Sequence, residues 1–93
     1  MKFKDRDLAA FWNDFTCAPR RVPPDVRRTL YRKLQMLDAA RGIVDLRVPP
    51  GNCLEKLAGS REGQYSIRVS DQWRFCFRWL DNEAREVEFC DYH

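Results

Sequence analysis

Trp73-Arg74-Phe75-Cys76-Phe77-Arg78-Trp79 decides the fold class. Aromatic residues recur at every second position, and Arg74, Cys76 and Arg78 fill the gaps. A period of two marks a strand with one buried and one wet face. Large rings concentrated on one side need a covering layer, so other elements must pack on that face. The flanks Ser70-Asp71-Gln72 and Asp81-Asn82-Glu83 are turn formers. Connections this short join antiparallel neighbours. Upstream, residues 64–69 set Tyr65, Ile67 and Val69 against Ser66 and Arg68. Downstream, residues 86–91 carry Val87 and Phe89 inward. Gly59-Ser60-Arg61-Glu62-Gly63 reads as the turn that links a first short strand over 53–57.

The other half of the chain has a helical period. Asp5-Arg6-Asp7 offers an N-cap with acid in the first turn, and Leu8, Phe11, Trp12 and Phe15 share one face. Pro19 and a basic stretch end that helix. Pro23-Pro24-Asp25 starts a second, whose buried face is Val26, Leu30, Leu34 and Leu37, with Met36 alongside and Gly42 as C-cap. Residues 43–52, ending in Pro49-Pro50-Gly51-Asn52, read as a loop, and residues 1–3 as an edge strand. Helices first and strands after predict an α+β fold: an N-terminal helical hairpin packed on a small antiparallel β-sheet, in the order β-α-α-β-β-β-β. A length of 93 residues suits one domain over 1–93.

Composition excludes several classes. With 44% hydrophobic and 33% charged residues the chain is neither disordered nor collagen-like. No apolar run approaches the ~18 residues of a membrane span, and Met1-Lys2-Phe3-Lys4-Asp5 lacks the apolar stretch of a secretory signal. A cytoplasmic protein with no membrane partner is expected. The cysteines at 17, 53, 76 and 90 form no CxxC, and His93 is the sole histidine. The spacing fits free thiols packing mostly as small apolar groups, and neither a metal nor a cofactor is expected.

The net charge of +3 is uneven. Residues 1–80 carry +7 and residues 81–93 carry −4. Arg20, Arg21, Arg27, Arg28, Arg32 and Lys33 stand against Asp25 alone within 19–33, a candidate footprint for a polyanion. Arg68, Arg74 and Arg78 occupy the strand phase opposite the aromatics, so they share the uncovered sheet face. There they either hold a phosphate backbone or pair with Glu86 and Glu88 of the last strand.

Read in order, Pro49-Pro50-Gly51-Asn52, Leu54-Glu55, Arg61-Glu62-Gly63-Gln64-Tyr65-Ser66-Ile67-Arg68-Val69, Asp71-Gln72-Trp73-Arg74-Phe75-Cys76-Phe77 and Asp91-Tyr92-His93 resemble the HigB-like toxins of the RelE/ParE superfamily, most closely the GraT branch. The resemblance implies a small toxin of a type II toxin–antitoxin system, an endoribonuclease that cuts mRNA in the ribosomal A site without a metal. It implies a HigA-like helix-turn-helix antitoxin, the 70S ribosome and mRNA as partners, and contact with DNA only through the antitoxin. Arg74, Asp91, Tyr92 and His93 match active-site positions of the family. Metal-free cleavage uses the 2′-OH as nucleophile, so a base, a permanent cation and an acid are needed. His93 titrates near neutrality, Asp91 can accept a proton, Tyr92 can stack on a base, and Arg74 can hold phosphoryl charge.

Many family members carry His-Pro-Leu-Lys-Gly where this chain has Glu55-Lys56-Leu57-Ala58-Gly59. Glu55 replaces the histidine and Ala58 the lysine, while Lys56 stands two positions away. Glu55 serves as base only if it faces Arg74. Lys56, Arg61, Arg68 and Arg78 join the basic stretch as expected RNA or ribosome contacts. Two other readings stay open: a weakly active or non-catalytic homologue kept for antitoxin binding and operon control, and a ParE-like gyrase inhibitor.

Overall fold

The alternating aromatics of 73–79 form the centre of a four-stranded antiparallel sheet. The computed structural model describes residues 1–91. Helices α1 (Arg6–Asn13) and α2 (Arg27–Ala39) precede strands β1 (Glu55–Lys56), β2 (Tyr65–Arg68), β3 (Trp73–Leu80) and β4 (Glu83–Asp91), ordered β1-β2-β3-β4. The α+β architecture expected from the sequence is the one observed. Leu8 and Phe11 from α1 and Leu30, Leu34 and Leu37 from α2 meet Ile67, Phe75, Phe77, Val87 and Phe89 in the core. The helical layer thus covers the aromatic face, and the face carrying Arg68, Arg74 and Arg78 is left free of helices.

Several local expectations change. The edge strand at 1–3 shrinks to one parallel bridge, Phe3 with Val87. Phe15 leaves the buried face of α1, lies in a 3₁₀ turn (Phe15–Cys17), and is 45% exposed. Helix α2 starts at Arg27 rather than at Pro23, because Pro23–Asp25 is spent in turns. Its C-cap is Ala40, not Gly42, which opens a 3₁₀ turn over Ile43–Arg47. The 43–52 loop is therefore two 3₁₀ turns, the second over Pro50–Asn52. Asn52 is fully buried and donates to the carbonyls of Leu46 (3.1 Å) and Val48 (3.4 Å), tying the turns together. The first strand covers only Glu55–Lys56. Two of the four thiols, Cys17 and Cys53, are exposed instead of packed inside.

The β3–β4 hairpin shows why the last strand begins earlier than its alternation suggests. Leu80 pairs with Glu83, so only Asp81 and Asn82 turn the chain, both at positive φ. Such a two-residue turn wants left-handed residues, which Asp and Asn tolerate. Glu86 then bulges at φ 52°, where the register slips between Cys76 and Arg78. The extra residue changes the phase, letting Ala84 and Val87 both face the core.

Asp5 sits at the N-cap of α1, yet its carboxylate does not cap the helix. It accepts from the Phe89 N–H (2.7 Å) and from Arg21 (2.7 Å). Arg21 also donates to Asp7 (2.9 Å) and to the Phe89 carbonyl (3.0 Å), with its guanidinium 5.4 Å from the Phe89 ring centroid. This clasp ties the α1–α2 connection to β4. Asp5→Ala is expected to cost about 1–3 kcal/mol, because it strands a half-buried N–H. Chemical denaturation checks this, and a loss below about 0.5 kcal/mol would reduce the clasp to a surface decoration. The Arg21 hydrogen bond holds the Asp7 carboxyl below its usual value. Asp7 therefore supports the fold in full above the unfolded carboxylate pKa of about 4, and that support disappears as the pH falls through the lowered folded value.

Candidate functional site

Pairing in the sheet fixes what meets on the uncovered face. Directly opposed residues share a face, so the register Glu55↔Ser66↔Cys76 groups these three with Arg68, Arg74 and Cys90. Arg74 donates from one Nη to Ser66 Oγ (3.0 Å) and to Glu55 Oε2 (3.3 Å). Glu55 does face Arg74. Ser66 is 1% exposed, so its hydroxyl holds the guanidinium from below. Arg68 pairs with Asp71 at the end of β2. Together with Cys53, these side chains line a cleft of roughly 340 Å³. The cleft sets Arg68 and Arg74 against Asp71 and Glu55, and Arg74 is the more deeply seated of the two guanidiniums.

Asp91 ends β4 opposite Trp73, one pair beyond Cys90↔Arg74, and accepts weakly from Gln72 (3.4 Å). Tyr92 and His93 lie outside the described residues. Arg61 and Arg78 are on the same sheet face but outside the cleft. Arg61 pairs with Glu88 (3.4 Å), and Arg78 with Glu86 (2.9 Å). The cross-strand pairing weighed for this face is thus realised for Arg78 with Glu86, and Glu88 takes Arg61 instead. Burial alone would push the Glu88 carboxyl up, but Arg61 and Lys4 outweigh it and hold the group below its usual range. Gly63 makes room for Arg78: a Cβ there would lie 2.6 Å from an Arg78 Nη. Its interaction with the Cys90 thiol, with Arg61 and Arg74 nearby, holds the Cys76 thiol below its usual value.

The basic stretch of 19–33 is not one footprint. Lys33 is buried and donates to the Arg68 carbonyl (2.7 Å), a strut from α2 to the end of β2. Burial lowers its pKa. Arg21 is consumed by the clasp, and Arg27 donates to the Val22 carbonyl (3.2 Å). Arg20, Arg28 and Arg32 remain exposed, and none of them lines the cleft. Lys56 points to the other side of β1 from Glu55 and lines a separate groove. The member that sequence reasoning missed is Ser66. Its signal was a small polar residue in the outward phase, next to Arg68 in sequence and across from Glu55 only once the register is known. Among the described residues, no three Cys, Asp, Glu or His side chains converge to hold a metal, and no helix is long and apolar enough to cross a membrane.

A two-helix layer on one face of a β1-β2-β3-β4 sheet, with an arginine-floored cleft on the other, is the plan of a RelE-like toxin. The solved YoeB-YefM complex from Staphylococcus aureus shares the fold: a TM-score of 0.63, with 100% of this chain and 95% of that chain covered at 17% identity. Residues 1–93 match the model of the HigB-like toxins, described as RelE-like toxins of the type II toxin–antitoxin system HigB, and the chain belongs to that family. It is 44% identical over 84 residues to Toxin HigB-1 of Vibrio cholerae serotype O1, covering 90% of this chain and 87% of that protein. It is 36% identical over 61 residues to Endoribonuclease HigB of Proteus vulgaris, covering 66% and 65%.

Proposed function

We propose that this toxin is a ribosome-dependent endoribonuclease that cuts mRNA in the A site by attack of the 2′-OH on the neighbouring phosphorus. The observation that carries the reading is Arg74, held by Ser66 and Glu55 in the cleft of the uncovered sheet face. The relative named as an endoribonuclease supports it at the level of the family. In this mechanism the 2′-oxygen loses its proton to a carboxylate or imidazole base, Glu55 beside Arg74 or His93, and Asp91, opposite Trp73 in the other strand phase, orients the imidazole. The phosphorane charge falls on Arg74, and the 5′-oxygen leaves with a proton from the acid, leaving a 2′,3′-cyclic phosphate. Tyr92 stacks on a base of the codon. No step needs a metal. The partners follow: mRNA on the ribosome, and a helix-turn-helix antitoxin of the HigA type through which DNA is reached. The solved neighbour, itself a complex of YoeB with YefM, agrees with an antitoxin partner.

Primer extension on mRNA from translating ribosomes tests this. Wild-type protein is expected to give cuts within A-site codons, and His93→Gln to reduce them by about 10²–10⁴-fold, the range for loss of an acid–base group. Intact message with the wild type sinks the reading.

One observation favours a second reading. Arg61, Arg68, Arg74 and Arg78 each already have a carboxylate partner, and Glu55 and Ala58 replace the family's histidine and lysine. A weakly active toxin retained for antitoxin binding predicts harmless expression without any antitoxin.

A further inference from the structure

A second groove, of roughly 520 Å³, lies on the other side of β1 and meets the arginine cleft at Cys53, which lines both. The two-residue strand explains the division. Glu55 turns to the cleft, and Lys56, one residue on, turns to the groove beside its cross-strand partner Tyr65. Tyr65 is half-buried and stacks on Phe77, with ring centroids 6.1 Å apart, so its ring is held in place. Ile43, Pro50 and Leu54 supply apolar walls, and Arg47 and Lys56 are the charged lining residues, both cationic. Asn52 fixes the wall from behind through its bonds to Leu46 and Val48. Among the described residues, no lining carboxylate opposes the two cations, unlike in the cleft.

A fixed phenol ring, apolar sides and two unopposed cations form a receptor for a planar base carrying a phosphate. We infer that this groove is a nucleotide subsite. It receives the base adjacent to the linkage held over Arg74, with the RNA strand crossing the sheet edge at β1 beside Cys53. Tyr65 and the apolar walls contact the base, and Arg47 and Lys56 take the flanking phosphate. The inference deepens the nuclease reading and rests on it for the identity of the linkage, while the groove's affinity for nucleotides can be measured without cleavage. Protein docking is the competing use. The absence of a carboxylate among the described lining residues, the two neighbouring cations and the continuity with the arginine cleft favour RNA.

The test uses the full chain and fluorescently labelled, fully 2′-O-methylated tetraribonucleotides, which cannot be cut by 2′-OH attack. Binding is read by anisotropy, and occupancy by the rate at which iodoacetamide alkylates Cys53, with exposed Cys17 as the internal reference. Oligonucleotide is expected to slow Cys53 alkylation severalfold and to leave Cys17 unchanged. Tyr65→Ala and Arg47→Gln are each expected to weaken binding roughly tenfold, in the range for loss of one stacked base or one phosphate contact. Arg47 is exposed, so its variant keeps the fold even if Tyr65→Ala does not. The codons cut on translating ribosomes are compared in parallel. Weakened oligonucleotide binding in the variants, with message left intact by the wild type, keeps the subsite and removes the nuclease. Wild-type binding and an unchanged codon pattern in both variants remove the subsite and keep the nuclease. No oligonucleotide binding by the wild type overturns the subsite. So does a variant that binds RNA normally and fails only to capture an antitoxin.

Discussion

Arg74→Ala is expected to lower A-site cleavage by about 10²–10³-fold, the range for removing one preorganised donor aimed at transition-state charge. The charge on a cyclising phosphate grows between substrate and phosphorane, so a cation fixed in advance gains most at that point. Arg74 is fixed in advance. Its guanidinium bonds a buried hydroxyl on β2 and a carboxylate on β1, so three strands set its position. Arg74→Lys keeps the charge but loses the planar fork that can span Ser66 and an anionic oxygen together, and is expected to recover little of the loss. Ser66→Ala should lie between wild type and Arg74→Ala, since the arginine keeps Glu55 as its second anchor. Primer-extension yields for the three variants, at matched protein levels and matched melting temperatures, check the order. Full cleavage by Arg74→Ala would take the cleft out of the chemistry.

The fold was legible because its two periods are clean. Trp73, Phe75, Phe77 and Trp79 alternate without interruption, and Leu30, Leu34 and Leu37 mark a helix face of the right spacing. The misreadings fall where a local pattern is broken or settled at a distance. Glu86 bulges and shifts the phase, so Glu83–Arg85 did not look like strand. Lys33 reads as one more surface cation until the carbonyl of Arg68, far along the chain, gives it a buried acceptor. Arg21 likewise belongs to a basic run in sequence and to Asp5, Asp7 and Phe89 in space. The site was half legible for the same reason. Strand alternation put Arg68 and Arg74 on one face, but the meeting of Glu55 with Arg74, and the support from Ser66, depend on the register of three strands. Local periodicity does not contain that register.

Phe75→Ala is expected to destabilise the chain by about 3–5 kcal/mol, the cost of truncating a buried aromatic. A domain of this size has roughly 5–14 kcal/mol in total, so most of the folded population is at risk at growth temperature. Phe75 is fully buried in the central strand, opposite Ile67 on β2 and Phe89 on β4, with Phe77 6.1 Å away. The surrounding rings are pinned by the sheet on one side and the helices on the other, so the void cannot close without moving backbone. Phe15→Ala is the informative contrast. A helical pattern assigns Phe15 to the same buried face as Phe11, but it stands 45% exposed and only edges against Phe11 (5.2 Å) and Tyr31 (5.3 Å). Its removal is expected to cost about 1 kcal/mol or less, the value of an exposed aromatic pair. Urea denaturation of both variants measures the difference directly. Equal losses would mean that α1 continues through Phe15 in solution and that the aromatic hairpin, not the sheet centre, anchors the helical layer. The expected inequality also separates two ways of losing activity: Phe75→Ala removes it with the fold, whereas Arg74→Ala, one residue earlier and on the opposite face of the same strand, removes it with the fold intact.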